Sequence, residues 1–269
     1  MKYQRILEAI YKTPLAISSA GFETIDAILR ARLVDASRPD KDFFGNPMDK
    51  MEIENGTAII PINGPLLQHA DLLDKQCGAT SYEDIREDVQ TASDRADVER
   101  IILNFNSPGG QAFGCLELAE FIADIQEQGT PCYAFTDTQC CSAAYMLASS
   151  CDQIFACRTA MVGSIGCIIA FLDMTKAMEM EGKKAEVFTS GKYKATAMPG
   201  TSVTPEQAEY LQELVNSSFA LFEQHVLAHR PDIDPDALQG QLFFGLEAKA
   251  MGVIDETIDS IEDLVETVG

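Results

Sequence analysis

The sequence predicts an α/β domain built on a largely parallel sheet. Short runs rich in β-branched and aromatic residues alternate with longer stretches whose apolar residues recur at helical spacing. Gly, Pro and Asn cluster between them, as turns require. The chain has 269 residues, 46% of them hydrophobic and 23% charged, which is the composition of a globular domain able to bury a full core.

Each element follows from its own pattern. Residues 1–36 read as one or two helices, with apolar spacing at Ile6 and Ile10 and then at Ile25, Ile28 and Leu29. The polar stretch 35–56 reads as a linker, so a helical arm and linker (1–50) precede a main domain (51–269). "TAIIPI" (57–62) is a strand ending at "NGP", and 81–98 is a helix with Ser81 or Tyr82 at its cap and Ile85 and Val89 on one face. "RIILNF" (100–105) is a strand, after which "SPGG" turns the chain into a helix through Cys115–Ile125. "PCYAFT" is a strand, "TQCCS" a loop, and Ser142–Ser149 a short apolar helix. "QIFAC" and "IGCIIAF" are further strands, followed by a helix around "MTKAMEMEG" and the strand "AEVFT" (185–189). A long helix runs from Thr204 to about His229, with Glu206 and Gln207 placed for a capping box.

Charge and cysteine content exclude several function classes. Twenty basic against 42 acidic residues leave a net charge of −22, which cannot track a phosphate backbone. No apolar run approaches the ~20 residues of a membrane span. The N-terminus has basic residues before an apolar patch, but Glu8 and Lys12 interrupt the patch, which argues against a signal peptide and for a cytoplasmic location. Eight cysteines form no CxxC pair, and most lie in apolar runs, as reduced buried thiols do.

Two strand ends could hold chemistry. In "NSPGGQ", Gly109 and Gly110 could aim a backbone N–H at an anion, although a plain tight turn has the same pattern. In "TQCCSAAYMLASS", Ser142 stands at a helix N-terminus, as a nucleophile or as an ordinary N-cap. Of the three histidines, His225 and His229 lie four apart on the long helix, but "HVLAH" lacks the Glu of a metalloprotease motif. They read as solvent-facing, and no metal or other cofactor is expected. A lysine could serve as base if burial lowers its pKa. Lys192 and Lys194, in "FTSGKYKATAMPGT", follow a predicted strand, but taken bare they are solvated surface charges.

Together these segments carry more. "NFNSPGG", "CCSAAYMLASSCDQIFACRTAMVGSIGC", "VFTSGKYKATAMPGT" and "FFGLEAKAMGVIDE" resemble, in order and spacing, the signal peptide peptidase A family of Ser-Lys peptidases over roughly residues 57–258. "SAA" at Ser142, where cellular members carry "SGG", is similar to the branch encoded by tailed phages, whose members cleave scaffold and capsid proteins during head assembly. The resemblance implies a crotonase/Clp-protease-like core of ββα units, assembled into a homo-oligomeric ring. It implies Ser142 as nucleophile, Lys194 as general base with Lys192 as the fallback, and an oxyanion hole from Gly109, Gly110 and Ala143. The implied partners are protein or peptide substrates. Rival readings are a cellular peptidase acting on signal-peptide remnants, an inactive assembly scaffold, and an acyl-CoA enzyme of the same fold.

Overall fold

Three parallel strands set the frame, and their residues explain why they are central. A computed structural model describes residues 15–18, 50–70, 74–75 and 78–269. Arg100–Ser107 (β6) buries Ile101, Ile102, Leu103 and Phe105 completely, the near-continuous apolar run of a strand covered on both faces. It lies parallel to Thr57–Asn63 (β3) on one side and to Cys132–Cys141 (β8) on the other. β3 buries Ala58, Ile60 and Ile62, every second residue.

The rest of this eight-stranded sheet closes its edges. Glu52–Glu54 (β2) pairs antiparallel with β3, so part of the expected linker belongs to the sheet. β8 is flanked in two halves. Gln153–Ala156 (β9) runs beside Tyr133–Thr136, and Met161–Gly163 (β10) beside Gln139–Cys141. Leu242–Phe244 (β11) lies antiparallel to β10, and Glu256–Thr257 (β12) parallel to β9. A smaller sheet orders Leu15–Ile17 (β1), Gly109–Gln111 (β7), Leu66–Leu67 (β4) and Thr80–Ser81 (β5).

Helices cover the sheets. Tyr82–Ser93 (α1) starts at Ser81, whose side chain accepts from the Asp84 N–H. Cys115–Glu127 (α2) buries Leu118, Ala119, Ile122 and Ile125, and Ala143–Ser149 (α3) is buried at every residue. After the short Thr175–Met180 helix (α4), Pro205–His229 (α5) opens on a full capping box between Thr204 and Gln207. Gly245–Ala250 (α6) buries Ala248, Gly252 turns the chain at φ 70°, and Ile261–Val268 (α7) ends the fold.

Several expectations are corrected. Leu15–Ile17, inside the stretch read as helical, is a strand paired with Gly109–Gln111. The apolar positions expected to make helices, Ile6, Ile10, Ile25, Ile28 and Leu29, lie outside the described residues. "PGG" leads into a strand as well as a turn, and "TQCC" continues β8, because β10 and the end of β6 pair with it. "IGCIIAF" and "AEVFT" are not strands. β11 already occupies the outer edge of β10, and Phe188 stands 94% exposed with no strand beside it. Phe222 of α5 is core.

Candidate active site

β8, β10 and α3 meet at Ser142. The chain must change direction between Cys141, the last residue of β8, and Ala143, the first of α3. Ser142 makes that turn with φ 55° and ψ −114°, a conformation that side chains other than Gly rarely adopt. Its N–H donates to the Gly163 carbonyl at 2.8 Å and its Oγ to the Gly166 carbonyl at 3.2 Å. Both acceptors belong to the "GSIG" run. Ser142 makes no side-chain capping bond, so of the two readings of this serine the N-cap hydrogen bond is not formed. Ser142, Ala143 and Ala144 are all buried, and the first-turn N–H groups of α3 point toward Ser142.

The Pro-Gly-Gly segment lies alongside. Ser107 Oγ donates to the Gly64 carbonyl at 2.6 Å and accepts the Gly109 N–H at 3.2 Å. Gly109 therefore shapes the turn, at φ 97°, and its amide is already bonded; Gly110 pairs with Ala16 of β1. A Cβ on Gly109 would stand 2.8 Å from the Cys141 carbonyl oxygen and 3.0 Å from the Ala143 nitrogen, so this turn and the start of α3 are in direct apposition. Gly109 and Ala143 are brought together beside Ser142. Lys194 is not bonded to them. It is exposed on the 191–200 segment, its N–H donating to the Gly191 carbonyl at 3.1 Å. Lys192 is also exposed and lies 3.4 Å from Glu206; hydrogen bonding with Tyr193 and then with Glu206 raises its pKa, the opposite of what a base needs.

The neighbouring thiols are poor nucleophiles. Burial pushes Cys141 up to about 12, and its Sγ donates to the Met161 carbonyl. All seven described cysteines are free. Of the two helix histidines, His229 is exposed as expected and His225 is not. His225 is buried, bonded through Nε2 to Ser150 Oγ at 2.9 Å, and burial with His229 alongside lowers it to about 4. Among the described residues no cluster of His, Cys, Asp or Glu could hold a metal. No helix of the described chain is long and apolar enough to cross a membrane.

Sequence reasoning missed the supports of α3. Arg230, 8% exposed, donates from Nε to the Ser149 carbonyl and from another guanidinium nitrogen to that of Cys151, and it pairs with Asp255 at 2.8 Å. A cation at the C-terminus of a helix satisfies orphan carbonyls and opposes the dipole. No local signal marks Arg230, since its partners lie about 80 residues earlier in the chain.

The chain is similar to several known proteins. The chain is 28% identical over 216 residues to the capsid assembly protease C of Escherichia phage lambda, covering 78% of this chain and 48% of that protein. It is 26% identical over 217 residues to the head-tail preconnector protein GP5 of Enterobacteria phage P21, covering 80% and 43%. It thus spans about half the length of these relatives. Among solved structures, ClpP1 of Listeria monocytogenes superposes with a TM-score of 0.46 at 12% identity, covering 77% of this chain and 94% of that one. An enoyl-CoA hydratase of Shewanella pealeana gives 0.47 at 10%, covering 89% and 76%. The sequence pattern of peptidase family S49 matches residues 124–268, more than half of the chain and a range that holds both Ser142 and Lys194. The chain belongs to peptidase family S49.

Proposed function

We propose that the protein is a serine endopeptidase in which Ser142 is the nucleophile and Lys194 the general base. The observation that carries this reading is the backbone of Ser142. A residue held at positive φ at a helix N-terminus, with its Oγ not used as a cap, is strain kept at a place where it aims a hydroxyl. Ser142 Oγ attacks the scissile carbonyl carbon while the neutral Lys194 amine takes its proton. Gly110 and Ala143 N–H groups donate to the oxyanion as it forms, and Gly109 holds the turn that aims Gly110. The lysine then returns the proton to the leaving amine, and water repeats the sequence on the acyl-enzyme.

Lys194 must lose water contact to act as a base, because desolvation favours the neutral amine. A second copy of the chain supplies that shielding in the proposed homo-oligomeric ring. Support comes from the segment that precedes Lys194 in the chain, where Phe188, Met180 and Leu172 expose 94%, 90% and 56% of their area. Similarity to a phage capsid assembly protease supports scaffold and capsid proteins as substrates, cut in the host cytoplasm or within assembling procapsids.

The test is co-expression with tailed-phage capsid and scaffold proteins, with cut sites mapped by mass spectrometry. Ser142→Ala and Lys194→Ala each abolish the cuts, whereas Lys192→Ala retains them. Unchanged cutting by Ser142→Ala contradicts the mechanism, and loss with Lys192→Ala alone moves the base by two residues.

A further inference from the structure

Leu15–Ser18 lies where a peptide substrate of this site would have to lie. β1 runs antiparallel to β7, with Ala16 opposite Gly110. On its other side, Leu15 donates its N–H to the Ile168 carbonyl at 2.9 Å and accepts the Ile168 N–H at 2.8 Å. Ser18 N–H donates to the Pro108 carbonyl at 3.0 Å. The segment is thus gripped on both edges, by the turn after β6 and by the residues following "GSIG". These are the two stretches that flank Ser142. Leu15 and Ala16 are each 2% exposed.

The register places one carbonyl with some accuracy. Bonded and non-bonded pairs alternate along an antiparallel ladder. Counted from the Ser18–Pro108 bond, Ala16–Gly110 is the next bonded pair, so the Ala16 carbonyl takes the Gly110 N–H. Gly109 locates the same atom independently. A Cβ there would collide with the Ala16 carbonyl oxygen and would stand 3.0 Å from the Ala143 nitrogen. The Ala16 oxygen therefore takes one of the two amides assigned above as oxyanion donors and lies on the side of Gly109 that faces the other. Ala16 also lines a cavity of about 350 Å³ with Phe113, Met146, Cys167 and Phe222, far more room than one methyl group fills.

We infer that Leu15–Ser18 is a tethered occupant of the peptide groove, which holds the site closed to other peptides until it is displaced. The groove takes extended peptides by strand addition, and the cavity beside Ala16 accepts an apolar side chain larger than alanine. The inference rests on the assignment of Gly110 and Ala143 as oxyanion donors. A tethered strand acts at an effective concentration on the order of millimolar, so it outcompetes a free peptide of about 0.1 mM affinity by about tenfold.

The test removes chemistry from the question. The full chain carrying Ser142→Ala is compared with the same chain also carrying Ala16→Asp or Leu15→Pro. The first change puts a carboxylate into the cavity that Glu117 also lines; the second deletes the N–H bonded to Ile168. Anisotropy of a fluorescent peptide with the sequence of residues 14–20, PLAISSA, reads binding. Both changes are expected to tighten it by about tenfold, with each variant still unfolding cooperatively on heating. Equal affinity in all three folded proteins overturns the inference, as does binding to none of them. If one variant does not fold, the other decides; if neither folds, the segment is an integral strand and the inference is wrong. Should binding tighten while the Ser142 enzyme cuts nothing, the tethered occupant stands and the peptidase reading falls.

Discussion

Replacing Ser142 by Gly is expected to give a more stable protein than replacing it by Ala, the reverse of the usual order. Ser142 sits at φ 55°, ψ −114°. A non-Gly residue in such a region costs about 1–3 kcal/mol, and Gly relieves that cost. Against this, Gly loses more backbone freedom on folding, about 0.5–1 kcal/mol relative to Ala. Both variants lose the Oγ bond to the Gly166 carbonyl, so its contribution of about 1 kcal/mol cancels in the comparison. The net expectation is that Gly exceeds Ala by roughly 1–2 kcal/mol. In a protein of this size each kcal/mol moves Tm by about 2–4 °C. Urea unfolding followed by circular dichroism measures the difference, provided the two m-values agree. Both variants are inactive. An Ala variant as stable as the Gly variant refutes the view that strain is held at this residue.

Other outcomes follow from particular contacts. Arg230→Met leaves the Asp255 carboxylate and the Ser149 and Cys151 carbonyls without their guanidinium and should cost about 3 kcal/mol or more in urea unfolding; a change below 1 kcal/mol contradicts the clamp. Cys141→Ser should retain most activity, because burial pushes the thiol up to about 12 and its neighbour is the nucleophile; an inactive, well-folded variant moves the nucleophile by one residue. His225, lowered to about 4 in the fold, binds its proton more readily when unfolded. Its contribution is therefore present above the unfolded value near 6.5 and is lost as pH falls from about 6.5 toward 4. His225→Gln, which can keep a bond to Ser150, should flatten stability between pH 6.5 and 5; an unchanged slope contradicts it. Activity should depend on concentration, with light scattering showing an oligomer that dissociates on dilution; a monomer of full specific activity contradicts the ring.

The sequence carries the sheet legibly where burial is two-sided or strictly alternating. β6 reads as a buried strand from "RIILNF" alone, and α5 announces its start through Thr204 and Gln207. The failures share one cause, pairing that local pattern cannot show. "AEVFT" has strand composition but pairs with no strand among the described residues, whereas Leu15–Ile17 is too short to signal and becomes a strand because Gly109–Gln111 and Ile168 receive it. In the site, the residue types at Ser142, Gly110 and Ala143 are readable, but the positive φ of Ser142 is not, since it results from β8, β10 and α3 meeting at one point. His225 was misread as solvent-facing because its partner, Ser150, lies 75 residues away.

The central claim, that Ser142 is an activated nucleophile, is tested most directly by reaction with a fluorophosphonate followed by peptide mapping of the adduct. One phosphonyl group per active chain is predicted, on Ser142, with Lys194→Ala reacting far more slowly than Lys192→Ala. Adducts on any other residue, or full peptidase activity in a chain whose Ser142 is completely modified, would contradict the account.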